Sequence, residues 1–432
     1  MKQLLTSGQV WQEEGFRQLD ILIENGVIAS VSENINEPSA EIIDCKGTYI
    51  IPAICDMHVH VGEKVCGLDL ADDFTSLSRL ADACGISAIG AFITERSDND
   101  KKKKSLQAQY EQEKTKAGKD FKRKIHWHLT PTLSEVKDVY PLLKDGCDLK
   151  FYTTYKPNGI YRSYKEIAQW MKELKDLKPR ILVHCEDDEI VTVMSAFHPF
   201  HKAFDHTLRR PEMAEILSVE RILDIAIQYN YPVHIVHVSA PEAALLIKQA
   251  KKSAPVTCET APQYLLLNET VLQGLDGHRW LCTPPIRSEK SRGLMVELLQ
   301  DSLFDAIATD HCPYKKADKD FNHDIPAYVP VGLAGLGATL PVLIENLVKT
   351  GKLPLQKLVP LLTSNPAKLM NFYPQFGKIS AGSQANLLIL QEEPLQEAVP
   401  VIASLGDTHN PWQNFTHTLN YKPFEVAHDK QS

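Results

Sequence analysis

Ile181-Leu182-Val183-His184 is short, apolar up to its last position and ends on an imidazole. Runs of this kind recur near 53–60, 86–94, 125–132, 147–154, 180–186, 232–239, 255–260 and 304–309, each followed by a segment long enough for a helix. Short, β-rich, continuous apolar runs are what strands covered on both faces look like in sequence. Eight β-α repeats over roughly 300 residues predict a closed (β/α)8 barrel. A doubly wound open sheet is the competing architecture, but no Gly-x-Gly-x-x-Gly follows any of the runs.

Outside the repeats the pattern changes. Residues 1–53 alternate apolar runs with turns, as in Leu19-Asp20-Ile21-Leu22-Ile23, Asn25-Gly26 and Val27-Ile28-Ala29. Asn-Gly between such runs signals a hairpin. A related pattern returns at Gly377-Lys378-Ile379 and Asn386-Leu387-Leu388-Ile389-Leu390. The expected organisation is an α/β chain with a TIM barrel over 54–374. Beside it, residues 1–53 and 375–432 together build a small β-sandwich domain, and the role of the 396–432 tail stays open.

The 432 residues carry 47 basic and 55 acidic groups, a net charge of −8, with 43% apolar and 24% charged positions. These are ordinary globular proportions, so wholesale disorder is excluded. An acidic balance argues against nucleic acid as a partner. No apolar run approaches the ~18 residues that span a bilayer. Met1-Lys2-Gln3-Leu4-Leu5 lacks a signal peptide's apolar core. Nine cysteines without a Cys-x-x-Cys read as reduced thiols, and the expected location is cytoplasmic. Residues 97–124 hold ten basic against five acidic residues, including Lys101 to Lys104, and read as a solvated outer helix and loop.

The chemistry sits at the ends of the predicted strands. Asp56-Met57-His58-Val59-His60 ends the first, and residues two apart share a face, so His58 and His60 can bind one ion together. Alone the motif says little. With 16 histidines in the chain, chance supplies about 0.6 such pairs, and His126 and His128 form a second. Position raises the first pair: His184 ends the fifth strand, His237 the sixth, and Ala308-Thr309-Asp310-His311 the eighth. Polar residues at C-terminal strand ends converge on the barrel mouth, where active sites form. His234, three residues before His237, is expected on the opposite face, buried or exterior rather than a ligand. Lys150 on the fourth strand is unusual among imidazoles. A buried, neutral lysine can add carbon dioxide and become an anionic carbamate ligand; from composition alone it reads as a snorkelling surface residue.

Residues 58–60, 150, 184, 237 and 310 resemble the metal-site pattern of the amidohydrolase superfamily, in its cyclic-amide branch of dihydroorotases, dihydropyrimidinases or hydantoinases, and allantoinases. Gly47-Thr48-Tyr49-Ile50-Ile51-Pro52, Glu259-Thr260-Ala261-Pro262-Gln263-Tyr264, Pro284-Pro285-Ile286-Arg287 and Ala308-Thr309-Asp310-His311-Cys312-Pro313 support it. The resemblance implies two divalent metal ions, zinc by family habit. His58, His60 and Asp310 would hold one ion, His184 and His237 the other, with carboxylated Lys150 and a hydroxide as bridges. It implies hydrolysis of a cyclic amide or ureide: the hydroxide attacks the carbonyl and Asp310 carries the proton to the leaving nitrogen. Tyr155 matches the tyrosine with which hydantoinases hold the oxyanion. A small-molecule substrate and a homodimer or homotetramer are implied too.

The chain also departs from the dihydroorotase pattern. Gly62 stands where that group has a carboxylate-gripping Arg, Thr283 stands for Asn before Pro-Pro, and Tyr314 replaces a His. Ile93-Thr94-Glu95-Arg96 replaces Met-Pro-Asn-Thr, and Arg96 is a candidate substitute for the missing grip. Tyr155, Arg96, Thr283 and Tyr314 are therefore the expected substrate-binding residues. The expected activity is dihydroorotase-like, with a dihydropyrimidinase/hydantoinase or allantoinase acting on a neutral ring as the alternative and a non-catalytic scaffold relative behind both. All six ligand positions are filled, which disfavours the scaffold.

Overall fold

The computed structural model describes residues 1–96 and 105–424. The expected basic loop around Lys101 to Lys104 lies outside them, as do residues 425–432.

The chain starts with β1 (Lys2–Gln12), β2 (Gly15–Glu24), β3 (Val27–Ser32), β4 (Glu41–Asp44) and β5 (Thr48–Pro52). β2 and β3 pair antiparallel across Asn25-Gly26, whose φ values of +50° and +80° are those a tight hairpin turn requires. The barrel strands follow: β6 (Ile54–Val59), β7 (Ile86–Thr94), β8 (Lys124–Thr130), β9 (Asp148–Tyr152), β10 (Ile181–His184), β11 (Val233–Ile235), β12 (Val256–Thr260) and β13 (Ala306–Ile307). After them come β14 (Leu387–Gln391), β15 (Val399–Pro400), β16 (Thr416–His417) and β17 (Tyr421–Pro423). β14 joins β5 antiparallel, Ile389 opposite Ile50, so both chain ends meet in one seven-stranded sheet ordered β17-β14-β5-β1-β2-β3, with β4 on β1. Gly377-Lys378-Ile379 forms no strand: Gly377 takes φ +75°, and it and Ile379 are buried while Lys378 is not.

The eight central strands lie in sequence order, all parallel, with helices between them. β13 is only two residues long, and single bridges close the barrel beyond it: His60 N donates to His311 O at 2.8 Å and His311 N to His58 O at 3.3 Å. Asp56 reinforces the seam by accepting from the backbone N–H groups of His58 and Thr309. Alternation sorts the strands. Leu149 and Phe151 pack outward against the helices, Phe151 meeting Trp170 of the helix Tyr164–Glu173. Between them, Lys150 points into the barrel. Ile89, Leu149, Val183 and Ile235 belong to one apolar core continuous with Ile21 and Ile50 of the small sheet. Each such buried side chain contributes ~1.5–3 kcal/mol relative to exposure.

Residues after β14 do not all stay with that sheet. Trp412 is buried with its indole N–H on Ala334 O, Ser404 bonds Asp72, and Thr408 bonds Tyr314 O, so this stretch braces loops at the barrel mouth. No helix among the described residues is long and apolar enough to cross a membrane.

Candidate metal centre

Six side chains from five barrel strands meet at the C-terminal rim: His58 from β6 and His60 just past it, Lys150 from β9, His184 from β10, His237 just past β11 and Asp310 just past β13. All six line one cavity of about 110 Å³, together with Val65, Cys66, Tyr155, Thr283, Cys312, Tyr314 and others. His58 Nε2 and His60 Nε2 stand 3.1 and 3.4 Å from the same Asp310 oxygen. His184 Nδ1 faces His237 Nε2 at 2.9 Å. Ligand atoms of His58, His237 and Asp310 lie within 4.8 Å of one another.

Two of these residues owe their aim to backbone conformations that sequence periodicity does not show. His237 has φ +39° and Asp310 φ +50°. His237 therefore leaves the alternation of β11, and His234 is not turned to the other face as the three-residue spacing suggests. It too points inward, bonding Thr257 Oγ1 at 2.8 Å and Glu259 Oε2 at 3.2 Å. Glu259 holds His58 Nδ1 at 2.5 Å, so His234 lies behind a ligand candidate. Glu186, wholly buried, does the same for His184, accepting from Nε2 at 2.7 Å. Such partners fix the tautomer: the N–H turns to the carboxylate and the lone pair to the cavity. Neither Glu186 nor Glu259 stood out as a site residue in the sequence.

The electrostatics suit a cation. Burial opposes charge on Asp310, but His58, His60 and His237 outweigh it and hold the carboxyl well below its ordinary value. Burial, then His184, keep His237 neutral. Burial also lowers Lys150 from 10.5 to about 8, so a free amine is accessible near neutral pH. Its Nζ has no hydrogen-bond partner among the described residues and lies over the rings of Phe92 and Tyr152 at 5.3 and 5.1 Å. Two imidazole nitrogens facing each other and an orphaned buried amine are poorly satisfied as they stand. Shared divalent cations held by the four imidazoles, the Asp310 carboxylate and a carboxylated lysine would satisfy them all. The residues fit a two-metal centre.

His126 and His128 lie elsewhere in the barrel. With Asp148 they form a second group of ligand-type atoms within 4.8 Å. Here the carboxylate is already occupied, taking His126 Nε2 at 2.8 Å and the Arg180 backbone N–H at 3.1 Å. The Arg180 guanidinium adds positive charge 3.7 Å away. His128 Nε2 meets Met57 O. Of the expected substrate residues, Tyr155, Thr283 and Tyr314 line the cavity and Arg96 does not. Arg96 lines a neighbouring polar depression and lies 3.7 Å from Glu63, which stands between it and His60. Gly62 is tightly enclosed: at φ +79°, a Cβ there would meet the Phe74 ring at 2.5 Å.

Known proteins resemble this chain in sequence and in fold. A dihydroorotase from Brevibacillus brevis is 30% identical over 399 residues, covering 90% of this chain and 89% of the relative. A D-phenylhydantoinase from Escherichia coli is 27% identical, covering 96% and 91%. The crystal structure of dihydropyrimidinase from Brevibacillus agri NCHU1002 superposes with a TM-score of 0.89 at 22% identity, over 98% of this chain and 93% of that one. The L-hydantoinase (dihydropyrimidinase) from Arthrobacter aurescens gives 0.87 at 25% identity, over 98% and 94%. The sequence pattern of the amidohydrolase family runs through residues 49–420, barrel and rim alike, and the chain belongs to that family.

Proposed function

We propose that this hydrolase is a two-zinc cyclic amidohydrolase that opens a neutral ring amide or ureide. His58, His60 and Asp310 would hold one ion, His184 and His237 the other, and Lys150, carboxylated by carbon dioxide with loss of a proton, would bridge them. When bound, two such ions lower the pKa of water and polarise a carbonyl oxygen. The chain's own groups do the rest. Asp310, kept ionised by its imidazole neighbours, takes a proton from the attacking water and hands it to the departing ring nitrogen. The Tyr155 hydroxyl, lining the cavity next to His184, donates to the oxyanion as the carbonyl carbon becomes tetrahedral. Thr283 and Tyr314 line the same cavity and offer hydroxyls to the ring's polar edge.

The preference for a neutral ring rests on one observation: among the described residues, the cavity wall holds no arginine, and its only lysine is Lys150. Val65, Ile160 and Val331 make much of the remainder apolar. A carboxylate-bearing ring gains no charged grip there. Dihydroorotase is the second reading, favoured by the Brevibacillus brevis relative. Rates of hydrolysis on dihydroorotate, dihydrouracil, hydantoin and allantoin decide between them. Metal analysis accompanies the screen, because a scaffold relative would carry far fewer than two zinc ions per chain. Nine unpaired cysteines support a reducing, cytoplasmic location. Exposed Val193, Phe197, Leu208 and Met213 on neighbouring helices support a homo-oligomer.

A further inference from the structure

We infer that Arg210 is a positioning residue for this centre, acting through Glu186 on His184 and through ring contact on Tyr155. The inference rests on the two-metal reading and extends it to a residue outside the cavity wall.

Arg210 sits between the helices Asp205–Arg209 and Glu212–Tyr229, remote in the chain from Tyr155, and joins two parts of the site. Its guanidinium forks onto Glu186, Nη2 to Oε2 at 2.8 Å and Nε to the two oxygens at 3.1 and 3.2 Å. Glu186 Oε2 accepts from His184 Nε2, which commits Nδ1 to the side where His237 Nε2 waits at 2.9 Å. Glu186 is completely buried, and a buried carboxylate needs a countercharge with matching geometry. Arg210 supplies it in the planar, two-point form that sets the carboxylate's rotation as well as its place.

The same guanidinium lies 4.9 Å from the centre of the Tyr155 ring. Tyr155 has φ +71°, a left-handed conformation that a bulky residue keeps only when its surroundings enforce it. Arg210 on one side and His184, 5.3 Å away, on another hold the phenol against the cavity. Arg210 is itself fixed, since its carbonyl accepts from Arg287 Nη1 at 2.7 Å, and Arg287 also binds Glu215 and Ser239. One side chain therefore aims a metal-ligand candidate and the group proposed to hold the oxyanion.

The test uses Arg210→Gln, Arg210→Lys and, as a control, Arg209→Gln. Arg209 donates to Ser195 O and His198 O in the same stretch without touching the site. Zinc affinity is measured by competition with a chromophoric chelator, and kcat and KM on the ring the wild type opens fastest. Arg210→Gln should weaken zinc binding by about tenfold to a hundredfold. Its kcat should fall by about tenfold or more while KM moves by less than about threefold. Lysine keeps the charge but loses the fork and the stacked plane, so Arg210→Lys should recover only part of either loss. Adding Glu186→Gln to Arg210→Gln should weaken zinc binding little further, as expected of two residues in one chain of contacts. Wild-type zinc affinity and kcat in Arg210→Gln overturn the inference, as do equal losses in Arg209→Gln. If Arg210→Gln does not fold, wild-type values in Arg210→Lys overturn it. A wild-type protein that binds no zinc instead refutes the two-metal reading, and this inference with it.

Discussion

Replacing Lys150 by methionine should stabilise the metal-free protein while destroying the metal centre. The side chain is 1% exposed and its amine has no hydrogen-bond partner among the described residues. Burial lowers its pKa from 10.5 to about 8. At about 1.4 kcal/mol per pH unit, the charged amine costs the folded state about 3 kcal/mol. The sign follows from proton counts. Above pH 10.5 the amine is neutral folded or unfolded, and the penalty is absent. Between 10.5 and 8 the unfolded chain binds more protons, so stability falls as the pH falls, and below 8 the penalty is complete. Methionine fills similar volume with no charge, leaving little cavity. Urea unfolding of metal-free wild type and Lys150→Met, in buffer freed of carbon dioxide, should show a gain approaching 3 kcal/mol at pH 7 that shrinks towards pH 10.5. Equal stability at pH 7 refutes the reasoning. A gain undiminished at pH 10.5 refutes it too, because packing rather than charge would then be its source. In the metal-loaded protein the order reverses: the variant should bind less zinc and lose activity, and Lys150→Ala should be partly rescued by short carboxylic acids with added metal.

His128→Asn should leave the zinc content unchanged, because its group is already tied internally through Asp148 and Arg180; metal analysis showing a lost ion contradicts this. Dihydroorotate should be a poor substrate, by about two orders of magnitude in kcat/KM against the best neutral ring. Arg96→Ala should not change that ratio, and Gly62→Arg should destabilise the protein without restoring dihydroorotate, since a Cβ at Gly62 meets the Phe74 ring. Zinc affinity of the metal-free protein should rise with pH and level off above about 9. Burial lowers the His60 pKa, but the nearby Asp310 and Glu63 carboxylates outweigh it and raise it to about 9. Below that pH zinc must displace a proton. The stability His60 lends the metal-free fold is complete below pH 6.5 and lost as pH rises through 9. Chelator competition from pH 7 to 10 checks this, and a flat profile counts against it.

Much of the barrel was legible because its signal is local. Each strand is an apolar run buried on both faces, and Ile86–Thr94 has the length the sequence indicated. The eighth run was legible as a strand but not as one of two residues, since its remaining hydrogen bonds go to loop backbone across the barrel seam. The rim imidazoles were legible for the same reason: a polar residue ending an apolar run points at the mouth of a barrel. His234 is buried, one of the two placements its sequence allowed, but its face was misread because strand parity assumes that the strand continues, and His237 breaks it with a positive φ. Arg96 stands near the end of its strand, yet the chain turns there and the guanidinium goes to Glu63.

The sequence by itself determined the repeat, the hairpin at Asn25-Gly26 and the residue types at the strand ends. Strand burial and turn conformation depend on a residue and its near neighbours. Only the tertiary structure decided which oxygen and which imidazole nitrogen meet. His58 is paired with Glu259 across 201 positions and Glu186 with Arg210 across 24. The first contact exists only once β6 and β12 face each other across the barrel, and the second only once the segment between β10 and β11 folds back over the rim; no local preference constrains groups that meet only through such closure.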